Sequence, residues 1–326
     1  MKLRQDEAGH RFHILKYQLS TDEEHTANAL DQIATARIAT GYLRNPLANF
    51  ATHPLDHTMD VTSSDNANDH TWHLTQSKDD QGPEEMVFTI QGIVCHCDLP
   101  PVVRQYGRSV SPKHLRQRVT LTGHDTPTFS DAIKGLERII KLLHYSVRDY
   151  SPQPLTSFTN GYVSLEITNR YFTSKRFANE KDCLDFNNDV DPKGILSDMR
   201  GDSFVHTPDN VVEYYHRVVT EDGEQRFKKV PPSHIKIGDI VEVQLTISLY
   251  ERCTGKGKES NMQYMTKVVL RSVTLLDARY SEENMNLYKA SSTRPSLKRR
   301  IGHDEEETME AQDRMKRMAI DPLRNT

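Results

Sequence analysis

Cysteine is scarce in this chain of 326 residues. Cys95, Cys97, Cys183 and Cys253 are too few and too irregularly spaced for a disulfide framework, which points to a reducing compartment. Long apolar runs are missing too. Nothing approaches the roughly 18 to 20 apolar residues that cross a bilayer, and the N-terminal MKLRQDEAGHRFH lacks the apolar core of a signal peptide. An intracellular protein with no membrane partner is expected. A surplus of positive charge is absent as well: the net charge is -4 and the pI ≈ 6.4. That excludes a polycation that coats nucleic acid, so any anion site must be local. No glycine-rich phosphate loop, GxSxG elbow or Cys/His nucleophile pattern is found, so neither an enzyme nor a cofactor is expected.

What is present suggests an α+β protein. Thr21 and Glu24 have capping-box spacing, and Ala29, Leu30, Ile33, Ala36, Ile38 and Tyr42 recur along a helical face, predicting a helix over 22–43. Ser130 is placed to cap a second amphipathic helix carrying Ile133, Leu136, Ile139, Ile140, Leu143 and Val147. Between them, 51–83 is polar and reads as a surface loop or partly disordered insert, with 71-TWHLT-75 as a short strand. Strands are expected at 86–97 and 117–123.

Ser151-Pro152-Gln153-Pro154 punctuates the chain, giving expected regions of 1–150 (mixed), 151–281 (β-rich, a barrel being one form) and 282–326 (a charged tail, partly helical or disordered). In the second region a hairpin is expected around Asp222-Gly223, with a helix over 209–219 as the competing reading. Val241, Val243, Leu245, Ile247 and Leu249 then alternate with polar residues, the period of a strand with one wet face. The return run 264–276 alternates less cleanly. The tip between them carries Gly255, Lys256, Gly257 and Lys258.

The phrases 184-LDFNNDVDPKGILSDM-199, 203-SFVHTPDNVVEYY-215, 237-IGDIVEVQ-244 and 268-VVLRSVTLLD-277 resemble a multicopy family of uncharacterised proteins of mushroom-forming fungi. That resemblance carries no activity, but multiple copies are compatible with association with a mobile element. Gly238-Asp239-Ile240-Val241-Glu242-Val243 followed by long strand, basic loop and long strand looks like part of an OB-type barrel.

Several residue groups suggest chemistry. His53/His57, His70/His73 and Cys95-His96-Cys97 have fragments of metal-ligand spacing, but Pro54 opposes a helix and the paired Cys spacing of zinc sites is missing, so no metal is assigned. Asp189, Asp191 and Gly194 begin like a calcium loop, yet Lys193 and Arg200 fall where carboxylates belong, leaving a turn. Asp239, Glu242 and Gln244 are the germ of a metal-dependent nuclease; alternatively Glu242 merely faces solvent.

Nucleic-acid binding has more residues behind it. Arg170, Tyr171, Phe172, Lys175, Arg176 and Phe177 mix cations with rings that could stack on bases, the alternative being rings in a core with cations flanking them. Arg104, Tyr106, Arg108, Lys113, His114, Arg116 and Arg118 form a second basic segment, and Lys256 with Lys258 could complete one groove. In the tail, Lys298, Arg299, Arg300, Arg314, Lys316 and Arg317 read as a nuclear import signal or as a charged helix of mixed signs. The expected protein is a non-enzymatic nuclear nucleic-acid-binding or assembly protein, with single-stranded nucleic acid and the import machinery as expected partners, and otherwise cytoplasmic. A nuclease and a protein-interaction module are the alternatives.

Overall fold

The computed structural model describes residues 23–41, 43–53, 59–63, 71–78, 82–103, 110–148, 152–220, 222, 224–254, 261–281 and 314–315. The chain forms two compact units, Met1–Glu283 and Asn284–Thr326. Of the second, the described Arg314 and Met315 are helical and exposed.

The architecture of the first unit is α+β, built on strands β1 (Met59–Ser63), β2 (Thr71–Lys78), β3 (Gly82–Glu85), β4 (Phe88–Asp98), β5 (Arg116–Thr122), β6 (Thr156–Thr159), β7 (Tyr162–Arg170), β8 (Thr173–Ser174), β9 (Phe204–Val205), β10 (Glu213–Val219), β11 (Gln225–Lys229), β12 (Ile240–Thr254) and β13 (Asn261–Asp277). Helix α1 covers 23–39, α2 Pro127–Ser146 and α3 Ile195–Arg200.

Five strands close a ring. β4 pairs β5, β5 pairs β7, β7 pairs β13, β13 pairs β12 and β12 returns to β4. All neighbours are antiparallel except β7 and β13, which run parallel. A five-stranded ring in this order is OB-like. The ring draws strands from both sides of Ser151–Pro154, and the direct pairing of β5 with β7 carries the sheet across that point. Phe88, Ile90, Val119, Leu121, Leu165, Ile167, Val243, Leu245, Ile247, Leu270 and Val273 fill its interior, none more than 1% exposed.

The alternation expected for β12 is what places these side chains inside. The return strand β13 loses its rhythm for a specific reason. Gln244 pairs Ser272 while Leu245 pairs Leu270, so Arg271 is an extra residue in a β-bulge and the inward phase shifts from even to odd positions.

Helix α2 packs its apolar stripe on the same core. Its cap is Thr126 rather than Ser130, because Pro127 is pre-set for the first helical position. Gly135 lets the helix touch the 3₁₀ turn Leu47–Ala51 so closely that a methyl group there would overlap the Leu47 carbonyl oxygen. Helix α1 contributes Leu30 to a smaller cluster with Ile93, Ile240 and Leu276.

The polar insert holds more order than its composition suggested. β1, β2 and β3 form an antiparallel meander there, and β2 joins β12 at Thr71–His73. An outer strand can form with threonine and serine facing water, so apolar alternation is not required. β10 and β11 make the expected hairpin, Val219 opposite Gln225, and the competing helix shrinks to a turn at Pro208–Asn210.

Candidate nucleic-acid interface

On β5, Gln117, Val119 and Leu121 point inward, which turns Arg116 and Arg118 outward. On β7, Leu165, Ile167 and Asn169 point inward, which turns Thr168 and Arg170 outward. The register sets Arg116 directly opposite Arg170 and Arg118 opposite Thr168. Thr168 in turn pairs Val269 of β13, so Lys267 and Arg271, flanking Val269, share this face. Three adjacent strands therefore gather Arg116, Arg118, Arg170, Lys267 and Arg271.

Acids near this face pair with Arg118 and Arg271. Arg118 meets Glu166 at 3.3 Å and Asp98 at 3.7 Å. Arg271, re-aimed by the bulge, reaches Glu85 at 3.1 Å and Asp209 at 3.7 Å and donates to the Thr246 hydroxyl. Burial works against the charge of Glu85, but its bond with His73 Nδ1 and the Arg271 charge hold it below the usual carboxylate range. Lys267 is in a different position. Burial, and then the charges of Arg170, Arg116 and Arg271, pull its ammonium down to about 8, with Asp209 opposing them.

Beneath the cations lies a buried amide network. Gln117 donates to the Asn210 carbonyl and accepts from the Tyr214 hydroxyl. Asn169 donates to the carbonyls of Asp209 and Leu270. The second bond spans from β7 to β13 where the two strands share one backbone pairing, Val269 with Thr168. Asn169 thus substitutes for ladder bonds at the closure of the ring. Burial also pushes the Tyr214 phenol far above its ordinary value, so it stays a hydrogen-bond donor.

The expected site residues divide. Arg170 and Arg116 are brought together. Lys175 and Arg176 sit exposed on the following 3₁₀ turn, Arg176 over the Phe177 ring at 4.4 Å. Tyr171 and Phe172 are each 2% exposed and belong to a satellite core with Val102, Leu115, Ile195 and Leu196. Their rings therefore have no free face for a base, and of the two readings the core one describes them. Lys113 and His114 are exposed on the approach to β5. Arg104, Tyr106, Arg108, Lys256, Lys258, Lys298, Arg299, Arg300, Lys316 and Arg317 lie outside the described residues, and Arg314 is exposed. Lys267 and Arg271 escaped notice in the sequence because they sit in the return run whose period the bulge breaks.

The other chemical fragments are committed elsewhere. Glu242, rather than facing solvent, is 5% exposed and held by Arg37 at 2.5 and 2.9 Å and by Gln91 at 2.9 Å. Asp239 accepts from the Lys236 amide. Asp191 accepts from the Ser197 amide and hydroxyl, an arrangement that starts α3. His73 is on Glu85, Cys95 donates to the Thr120 carbonyl, and a register shift between Val94 and His96 interrupts the strand between them. Among the described residues no group of His, Cys, Asp and Glu is arranged to hold a metal.

No family model and no curated protein matches the chain, so the resemblance to the fungal set rests on its quoted phrases. Among solved structures it is similar to the single-stranded DNA-binding protein encoded by bacteriophage T7, with 11% identity, 59% of this chain and 86% of that chain covered, and a TM-score of 0.29. It is also similar to a C-terminally truncated single-stranded DNA-binding protein from bacteriophage Enc34, with 10% identity, 67% and 95% covered, and a TM-score of 0.27. At TM-scores this low the likeness is weak and bears no weight in the functional reading.

Proposed function

We propose that the chain binds single-stranded nucleic acid across the outer face of β5, β7 and β13, as a non-enzymatic binding or assembly protein. The observation that carries this reading is the register that sets Arg116 opposite Arg170 with Lys267 beside them. Cations from three adjacent strands are thereby gathered on one face. A phosphate backbone complements such a gathering, being a row of charges rather than a single ion. The barrel type itself supports such use of an outer strand face and of the loops that border it. In the sequence, Lys256 and Lys258 fall between β12 and β13.

The test is the salt dependence of binding to a fluorescent oligothymidine. Wild type binds at low salt with an affinity that falls steeply as salt rises, each phosphate contact adding about 0.7 to the logarithmic slope. Lys267→Met and Arg116→Gln each flatten that slope by about one contact. Absence of binding at low salt overturns the reading.

The tail's basic clusters support a nuclear location reached through the import machinery. Deleting residues 291–326 is expected to leave thermal unfolding nearly unchanged and to reduce nuclear accumulation. Unchanged accumulation removes the import role.

A further inference from the structure

The outer face continues past Lys267 along the β12–β13 arm. Leu245, Ile247 and Leu249 are at most 1% exposed and point inward, so Ser248, Tyr250 and Arg252 point outward. The register sets Ser248 opposite Lys267, Tyr250 opposite Met265 and Arg252 opposite Gln263. Two residues of strand advance about 7 Å, so Tyr250 stands one step beyond Lys267 and the exposed Arg252 one step further. Of the outward residues from Thr246 to Arg252 and from Gln263 to Arg271, Tyr250 is the only aromatic. Tyr250 is half-buried.

We propose that Tyr250 is a base-stacking platform, seated between phosphate contacts at Lys267 and Arg252, and that it gives the face its preference for single strands over duplexes. The inference rests on the function proposed above. Cations alone hold any phosphate backbone, duplex or single. A flat ring between two cations is useful only to a base whose face is uncovered, and in a duplex those faces are already stacked. The platform is tolerant of sequence, since every base has a flat face to offer. It takes the part that the sequence offered to Tyr171 and Phe172, whose rings lie in the satellite core.

Three probes of equal length decide it: an oligothymidine strand, an abasic strand with the same phosphates, and a duplex. Wild type is expected to bind the thymidine strand about 5- to 150-fold more tightly than the abasic one. Tyr250→Leu removes that advantage without changing the salt slope, and Tyr250→Phe keeps it. If wild type binds both single strands equally, or Tyr250→Leu keeps the full advantage, the platform is refuted while the binding function stands. If wild type binds neither strand, the function itself falls and takes the platform with it. Thermal unfolding of each variant separates loss of stacking from loss of fold. Should Tyr250→Leu unfold early, the thymidine-to-abasic ratio of wild type and the Tyr250→Phe result still decide.

Discussion

Two charged regions on the same barrel are handled in opposite ways. Where α1 meets β12, the guanidinium of Arg37 grips Glu242 with two hydrogen bonds, Gln91 takes a further lone pair and Gln225 takes another N–H. Both charges are nearly out of water, and each is answered from within the chain. Across β5, β7 and β13 the register sets Arg116 opposite Arg170, while Glu166 and Glu85 pair with Arg118 and Arg271. The difference separates charge buried in a pair from charge gathered on one face. A buried pair that satisfies itself fixes a helix in place, whereas like charges opposite each other in a ladder cost stability.

The contrast breaks most sharply at Glu242. Glu242→Ala strands the Arg37 guanidinium in a dry site, and urea unfolding should show a loss of about 3–5 kcal/mol, whereas a binding assay on the variant's folded fraction should be unaltered. A loss below about 1 kcal/mol would mean that water reaches the pair.

Lys267→Met should act with the opposite sign. Its ammonium has a folded value of about 8, below the ordinary 10.5. Between those values the unfolded chain holds the proton more tightly than the folded one, so this group's contribution to stability rises with pH across that window. Its penalty is fully present at neutral pH. Replacing it should therefore stabilise the protein by about 2–3 kcal/mol at pH 7, and the gain over wild type should shrink to nothing above about pH 10.5. A gain that persists undiminished at high pH would show that methionine merely packs better. Because a bound phosphate favours the charged form, strand binding near pH 8 should also take up a proton, measurable by calorimetry in buffers of differing ionisation heat.

The smallest effect belongs to Arg116→Gln. Relief of its opposition to Arg170 should stabilise the sheet by about 0.2–1 kcal/mol at low salt and by less at high salt. A destabilised variant would mean that the arginine's aliphatic stem, rather than its charge, matters to the fold.

Much of this molecule was legible in its residues, and what escaped did so for physical reasons. The stripe from Ile133 to Leu143 and the alternation from Val241 to Leu249 announced α2 and β12, because each repeats one period long enough to exclude the others. The charges of Arg116 and Arg170 were visible too. Their meeting was not, since it depends on a register between strands separated by α2. Lys267 was hidden by the single extra residue at Arg271, which scrambles the period of β13. Tyr171 and Phe172 show the converse. Interleaved with cations they look like a binding strip, but the satellite core beneath them is assembled from Val102, Leu115 and Ile195, distant in sequence.

The way the ring closes gives the barrel a grain. Elsewhere around its circumference the strands are joined by runs of paired residues, but between β7 and β13 there is one backbone pairing and the amide of Asn169. This join is a clasp rather than a weld. Thermal opening should begin there, and amide protons around Thr168 to Arg170 should exchange ahead of those on the β5 side of the same strand. The clasp lies under the cationic face, with Arg170 on one lip and Lys267 on the other. A polyanion laid across both lips would act as a suture, so exchange at this join, more than anywhere else in the barrel, should slow when the strand is bound.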